Sequence, residues 1–242
     1  MHSSSEGSHL SPRHAIILGA SGGLGRAVCE RLAGERYALA LAGRSLQRLE
    51  QVRLSLANSI GPELKAESYQ VDLEDPTSIA SFASTLGRKH PDASVLVNCA
   101  AGFFKGQFSE IDYDALAKLI DSNYRGVVLL IRALLPLLQR NTPADIVNIT
   151  SVSASTTLDA SRSSSAHIAT KAALHSFDVA LGREVAGLGV RITTVAPDTF
   201  AKEGREGLAL ADVAEVIFRI ITLPPSMRME TAVLHKTGWK RV

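Results

Sequence analysis

The chain has 242 residues, 45% hydrophobic and 21% charged, enough for one large α/β domain with a substantial buried core. Its 26 basic and 24 acidic residues leave a net charge of +2, too small and too evenly spread to make nucleic acid or a membrane surface the main partner. The two cysteines, Cys29 and Cys99, form no C-x-x-C pair, which argues against a disulfide scaffold or a metal site and for a reducing, cytoplasmic setting.

Residues 1–12 are polar and serine-rich and lack the apolar core of a signal peptide. They are expected to form a flexible tail, with 13–242 as a single domain. No apolar run reaches the roughly 18 residues of a membrane span. From residue 14 onward, strand-like and helix-like segments alternate. The apolar run 14–18 leads into the glycine loop GASGGLG and a helix over 23–33. A strand over 37–43 follows, then a helix over 45–59 that Ser45 can cap. A third strand covers 64–72, and Asp75 with Pro76 suits the cap and first position of the next helix.

The fourth strand is 93–98. A long helical stretch spans 114–140, with Pro136 expected to kink it or to be accommodated near its end. Strands over 144–150 and 190–196 flank a helix over 165–187. A helix over 210–222 and a strand over 231–236 complete the pattern. The strands read as continuous apolar runs, which predicts a parallel sheet covered on both faces. The fold class is therefore α/β, a single doubly wound domain of about seven parallel strands, with ligand expected beyond the C-terminal strand ends.

The loop sets Gly19, Gly23 and Gly25 between a strand and a helix. Glycines there permit a tight turn and let backbone approach a pyrophosphate at a helix N-terminus. The bland alternative is a glycine-rich turn with no ligand. After the second strand, where an acidic residue would grip the ribose hydroxyls of NAD, the chain has Gly43 and then Arg44. An arginine can pair with a 2′-phosphate, so NADP(H) is favoured over NAD(H). Arg44 could instead be an exposed residue at a helix start.

Further motifs follow in order: VDL with Asp72, VNCAAG (97–102), SNYRG with Asn123, IVNITSVS with Ser151, the helix with Lys171, and VAPDT after the sixth strand. Taken together, the chain resembles the short-chain dehydrogenase/reductase family over about residues 13–236. The resemblance implies an oxidoreductase acting on a carbonyl or alcohol. It gives Ser21, Leu24 and Thr199 places in the cofactor site with the glycines, and has Asp72 receive the adenine amino group beside Leu73. Asn98 would tie the central strands together and Ala100 would lie near the cofactor ribose. Asn123 would hold a water in a proton relay, Ser151 would orient the substrate carbonyl, Lys171 would bind the nicotinamide ribose, and Pro197 would line the nicotinamide.

The acid's position departs from the family. Its acid is the tyrosine of Tyr-x-x-x-Lys, and four residues before Lys171 this chain has His167. Tyr37, Tyr69, Tyr113 and Tyr124 are followed four residues later by Leu41, Leu73, Ala117 and Val128, so no other tyrosine supplies the motif. The i, i+4 spacing keeps His167 and Lys171 on one helix face. Imidazolium is a competent acid near neutral pH, but Lys171 and burial would both push its pKa down. Carbonyl reduction should then rise as pH falls, while alcohol oxidation suits neutral pH. His175 continues the stripe and could contribute, or simply pack.

The rival expectation is a cofactor-binding protein without turnover. The segment 152–166 is longer than the family's usual spacing. Asp198 stands where glycine is common, and Lys202 where threonine often contacts the carboxamide. The segment 198–207 predicts a short lid and an open site. The resemblance also implies pairing of the 114–140 and 165–187 helices between subunits, hence a homodimer or homotetramer.

Overall fold

The computed structural model describes residues 13–104, 106–155, 164–203 and 206–238. The tail 1–12 and most of the long segment before His167 lie outside them. Among the described residues, one seven-stranded sheet has the order β3-β2-β1-β4-β5-β6-β7, with every neighbouring pair parallel. Its strands are β1 (His14–Leu18), β2 (Ala38–Gly43), β3 (Ala66–Gln70), β4 (Ala93–Asn98), β5 (Ala144–Ile149), β6 (Val190–Pro197) and β7 (Thr231–Leu234). The order reverses between β1 and β4, which opens a crevice at the C-terminal strand ends.

Period-two alternation divides the core between the two faces of the sheet. Ala15 and Ile17 point to one face, under α1 (Gly23–Gly34), α2 (Leu46–Ile60) and α8 (Leu210–Ile221). Ile16 and Leu18 point to the other, under α3 (Pro76–Lys89), α5 (Gly126–Arg140) and α7 (Ser165–Glu184). The inner strands β1, β2, β4 and β5 are buried almost throughout. β3, an edge strand, is buried only at Tyr69 and is shorter than the expected 64–72. No helix among the described residues is long and apolar enough to cross a membrane.

The caps fall where the residue types put them. Ser45 Oγ accepts from the Arg48 N–H at 3.3 Å, and Asp75 Oδ1 from the Thr77 N–H at 2.8 Å with Pro76 in the first turn. The stretch 114–140 is not one regular helix. α4 (Tyr113–Ile120) passes into a π-helical turn over Asp121–Arg125 and only then into α5. Pro136 is held within the last turns of α5, as one of the two expectations had it. A short helix α6 (Val152–Ser155) follows β5, and α7 ends at Glu184 rather than near 187 because a 3₁₀ turn, Ala186–Leu188, takes over.

At the opposite end of the sheet, Asp145 is 2% exposed and accepts from Arg13 at 2.8 Å and from Arg191 at 2.8 and 3.1 Å. A buried carboxylate needs such partners. The cluster fixes the starts of the central strands and leaves their other ends to the site.

Candidate active site

Two cavities adjoin at the C-terminal strand ends, of about 470 and 910 Å³, sharing Cys99 and Ala101 in their walls. The first is lined by Gly19, Ser21, Gly23, Arg44, Asp72, Leu73 and Ala100. The second is lined by Leu24, Ser151, His167, Lys171, Pro197 and Thr199. The sequence-derived candidates thus meet along one crevice, with three exceptions that do not line it.

Those three are Gly25, Asn98 and Asn123. At Gly25 a Cβ would lie 2.2 Å from the Gly19 carbonyl oxygen, so glycine there lets helix and loop close. Asn98 is 1% exposed; its Nδ2 donates to Asn148 Oδ1 at 3.2 Å and its Oδ1 accepts from the Ala100 N–H at 3.1 Å. It bridges β4 and β5 and fixes the cavity floor. Asn123 sits fully buried in the π-helical turn. Its Oδ1 accepts from the Gly102 N–H at 2.6 Å, while its Nδ2 donates to the Gly102 carbonyl at 3.0 Å and to Thr170 Oγ1 at 3.2 Å.

The first cavity suits a dinucleotide on local grounds. Gly19 has φ +76°, and a Cβ on it would meet the Ala100 nitrogen at 2.7 Å. That cradle excludes any side chain. The N-cap of α1 is Gly22, with no side-chain cap and no acidic residue in the first turn. The first N–H groups of α1 are therefore left for an anion. Arg44 is 75% exposed at the rim, its guanidinium 3.8 Å from Glu74. Arg48 lines the same rim, a residue to which the sequence reading gave no role.

In the second cavity the chemistry-bearing groups come from two elements. Ser151 follows β5, and its Oγ accepts from the Ser153 N–H at 3.3 Å. α7 is capped by Ser164, whose Oγ accepts from the His167 N–H at 3.4 Å, and it presents His167 and Lys171 one turn apart. Lys171 is 2% exposed and its ammonium donates to the Ile149 carbonyl at 2.8 Å. Burial drives its pKa down to about 8, against the opposing pull of the Asp178 carboxylate.

His167 is 8% exposed, with its ring edge-on to Phe103 at 5.1 Å between centroids. Burial and then the Lys171 charge lower its pKa to about 4, outweighing the Gly102 hydrogen bond. The ring is neutral at pH 7. Nδ1 lies 3.3 Å from the Gly102 carbonyl. A carbonyl only accepts, so the proton is assigned to Nδ1, which leaves the Nε2 lone pair free to accept.

The remaining candidates occupy the edge. Asp198 Oδ1 accepts from the Thr199 N–H at 2.7 Å, and Oδ2 lies 3.8 Å from His235 Nδ1. Lys202 is exposed in the second cavity wall. Phe200 and Leu208 bridge, so the lid segment folds back within a few residues. His175, the continuation of the stripe, lines neither cavity. Cys99 lies between the cavities, and burial pushes its thiol up to about 12, so it stays protonated.

Asp178 went unread in the sequence. It is 3% exposed on the face of α7 that carries His167 and Lys171. The available signal was an acidic residue recurring at helical spacing on a buried stripe.

The short chain dehydrogenase family matches residues 13–209 of the chain. An uncharacterized oxidoreductase of Staphylococcus saprophyticus is 29% identical over 188 residues, 78% of each chain. A metagenomic short-chain oxidoreductase solved in complex with NADP is 26% identical with a TM-score of 0.81, covering 93% of this chain and 97% of that one. An alcohol dehydrogenase from the archaeon Thermococcus sibiricus, complexed with 5-hydroxy-NADP, is 24% identical with a TM-score of 0.83, covering 94% and 98%.

Proposed function

Since this chain belongs to the short-chain dehydrogenase family, we propose that it is an NADP(H)-dependent oxidoreductase that moves hydride between nicotinamide and a carbonyl or alcohol substrate. The observation that carries this reading is the junction of the two cavities. A glycine cradle with an uncapped helix end opens into a chamber walled by Ser151, His167 and Lys171. A bound nicotinamide supplies or accepts the hydride; the protein supplies orientation and the proton.

In this reading the first cavity takes the adenosine and pyrophosphate, with Asp72 toward the base. The exposed Arg44 at the rim pairs with a 2′-phosphate, which favours NADP(H) over NAD(H). The Lys171 ammonium holds the nicotinamide ribose, and Ser151 donates to the substrate oxygen. His167 Nε2 exchanges the proton with that oxygen. Asn123 is given the task of holding Gly102, whose carbonyl orients His167, in place of a water relay.

The direction of proton traffic follows from the tautomer. A neutral imidazole with its proton on Nδ1 is a base at Nε2. The site is ready at neutral pH to take a proton from an alcohol. It donates one to a carbonyl only when the imidazolium forms, at lower pH. Turnover is preferred to a purely binding role because His167, Lys171 and Ser151 line the same chamber.

A homo-oligomer in the cytoplasm completes the reading. Phe108, Tyr113 and Ile120 are exposed apolar side chains on and before α4, and both cysteines are free, in keeping with that setting.

The test is direct. NADPH and NADH are titrated against the protein by nicotinamide fluorescence, then NADPH consumption is followed over ketones, aldehydes and quinones, with His167→Tyr in parallel. Tighter NADPH binding and turnover by the parent protein support the reading. Absence of NADPH binding contradicts it. Turnover by the tyrosine variant alone assigns the parent to the binding role.

A further inference from the structure

Asp178 is a buried acid with no task in the proposed chemistry. Its Oδ1 accepts from Asn148 Nδ2 at 2.6 Å and its Oδ2 from the Thr194 hydroxyl at 2.7 Å. Two donors, one on each oxygen, suit the ionised carboxylate. It lies seven residues beyond Lys171, two helical turns along the same face.

The two side chains anchor on consecutive residues of β5. Asp178 is bound by the Asn148 side chain, and the Lys171 ammonium rests on the Ile149 carbonyl. They make no ion pair with each other among the described residues. Asn148 also receives Asn98, which in turn fixes Ala100 in the first cavity wall. The acid is thus built into the strands that form the cavity floor.

A buried ammonium with only a carbonyl for partner is costly and tends to lose its proton. The titratable groups facing Lys171 are Cys99 from the end of β4, and His167 and Asp178 from its own helix. Cys99 stays a thiol and His167 is neutral or positive, so Asp178 is the one that can hold negative charge near neutral pH.

We infer that Asp178 is a positioning residue whose carboxylate keeps Lys171 an ammonium where it meets the cofactor. The inference rests on the assignment of Lys171 to the nicotinamide ribose. Burial raises the Asp178 pKa to about 7, against about 8 for Lys171. The acid is therefore ionised by the pH at which the lysine begins to lose its proton. Removing that charge lowers the lysine further.

The experiment measures NADPH affinity from pH 6 to 10 for the parent, Asp178→Asn and Thr194→Val, with cofactor-free melts of those proteins, Lys171→Met and the Lys171→Met/Asp178→Asn double variant. Asp178→Asn is expected to move the alkaline loss of affinity down by about one pH unit. Thr194→Val removes one of the two donors that favour the ionised carboxylate, so it is expected to move the loss in the same direction by less. The double variant is expected to melt above Asp178→Asn, because it no longer buries a lone ammonium.

An unmoved alkaline loss in folded Asp178→Asn overturns the inference. If that variant does not fold, the double variant decides: recovery of folding supports the coupling, and no recovery overturns it. A parent protein that binds no NADPH at any pH refutes the cofactor reading instead, and the melts still judge the coupling.

Discussion

The Nδ1 of His167 lies 3.3 Å from the carbonyl oxygen of Gly102. The same oxygen accepts from Asn123 Nδ2 at 3.0 Å, and the Gly102 N–H donates back to Asn123 Oδ1 at 2.6 Å. One residue, Gly102, clamped at both its N–H and its carbonyl from the π-helical turn, thereby decides which imidazole nitrogen is left to meet substrate. A Cβ on Gly102 would come within 2.9 Å of Ser122 Oγ, which would have to turn aside.

Asn123→Ala leaves the Gly102 N–H without its acceptor and takes one of the two donors from the Gly102 carbonyl. Leaving buried polar groups unpaired costs about 1–3 kcal/mol of stability. In our account kcat falls by roughly tenfold or more through misorientation of His167, with KM little changed. Thermal melts alongside steady-state kinetics check both parts.

The buried imidazole also carries a pH signature in stability. His167 titrates at about 4 in the native protein, below the reference value of about 6.5 for an exposed histidine. Between those values the unfolded chain binds the proton and the native chain does not. Stability therefore rises with pH across the window and is lost as pH falls through it. His167→Phe removes that loss, on the order of 3 kcal/mol in full. Its melting point relative to the parent is expected to be higher at pH 4.5 than at pH 7.5.

Arg44 separates the two nicotinamide cofactors. If it pairs with a 2′-phosphate, Arg44→Ala loses one charge-assisted contact of about 1.5–3 kcal/mol. NADPH affinity then drops on the order of 10–100-fold, while NADH affinity stays level. Parallel fluorescence titrations distinguish this from a general loss of the site, which would lower both.

Gly25→Ala tests the cradle from outside the cavity. The added methyl carbon would sit 2.2 Å from the Gly19 oxygen, so α1 and the loop must part. Dinucleotide affinity and melting temperature are both expected to fall, although Gly25 lines neither cavity.

Much of this was legible in the chain itself. Apolar runs at 14–18, 93–98 and 144–150 announced buried parallel strands, and Ser45, Asp75 and Pro76 marked helix starts. Gly19, Gly23, Arg44, Asp72, Ser151, His167 and Lys171 all reach the crevice. The π-helical turn at Asp121–Arg125 was hidden because a shifted hydrogen-bond ladder leaves the apolar pattern of 114–140 nearly intact. Asn123 and Asn98 act from behind the wall, through backbone groups whose position only the fold defines. Asp178 reads as a solvated helix residue until Asn148 and Thr194 are brought beside it from two strands.

The most direct test of the central claim is the pH–rate profile of NADPH-dependent carbonyl reduction from pH 5 to 7.5, for the parent and His167→Phe. With a proton donor of pKa about 4, our account predicts that the parent rate climbs roughly tenfold per pH unit as pH falls. The phenylalanine variant is predicted to be flat and slower by about 10²–10⁴-fold. A flat parent profile, matched in rate by the variant, would contradict the assignment of proton transfer to His167.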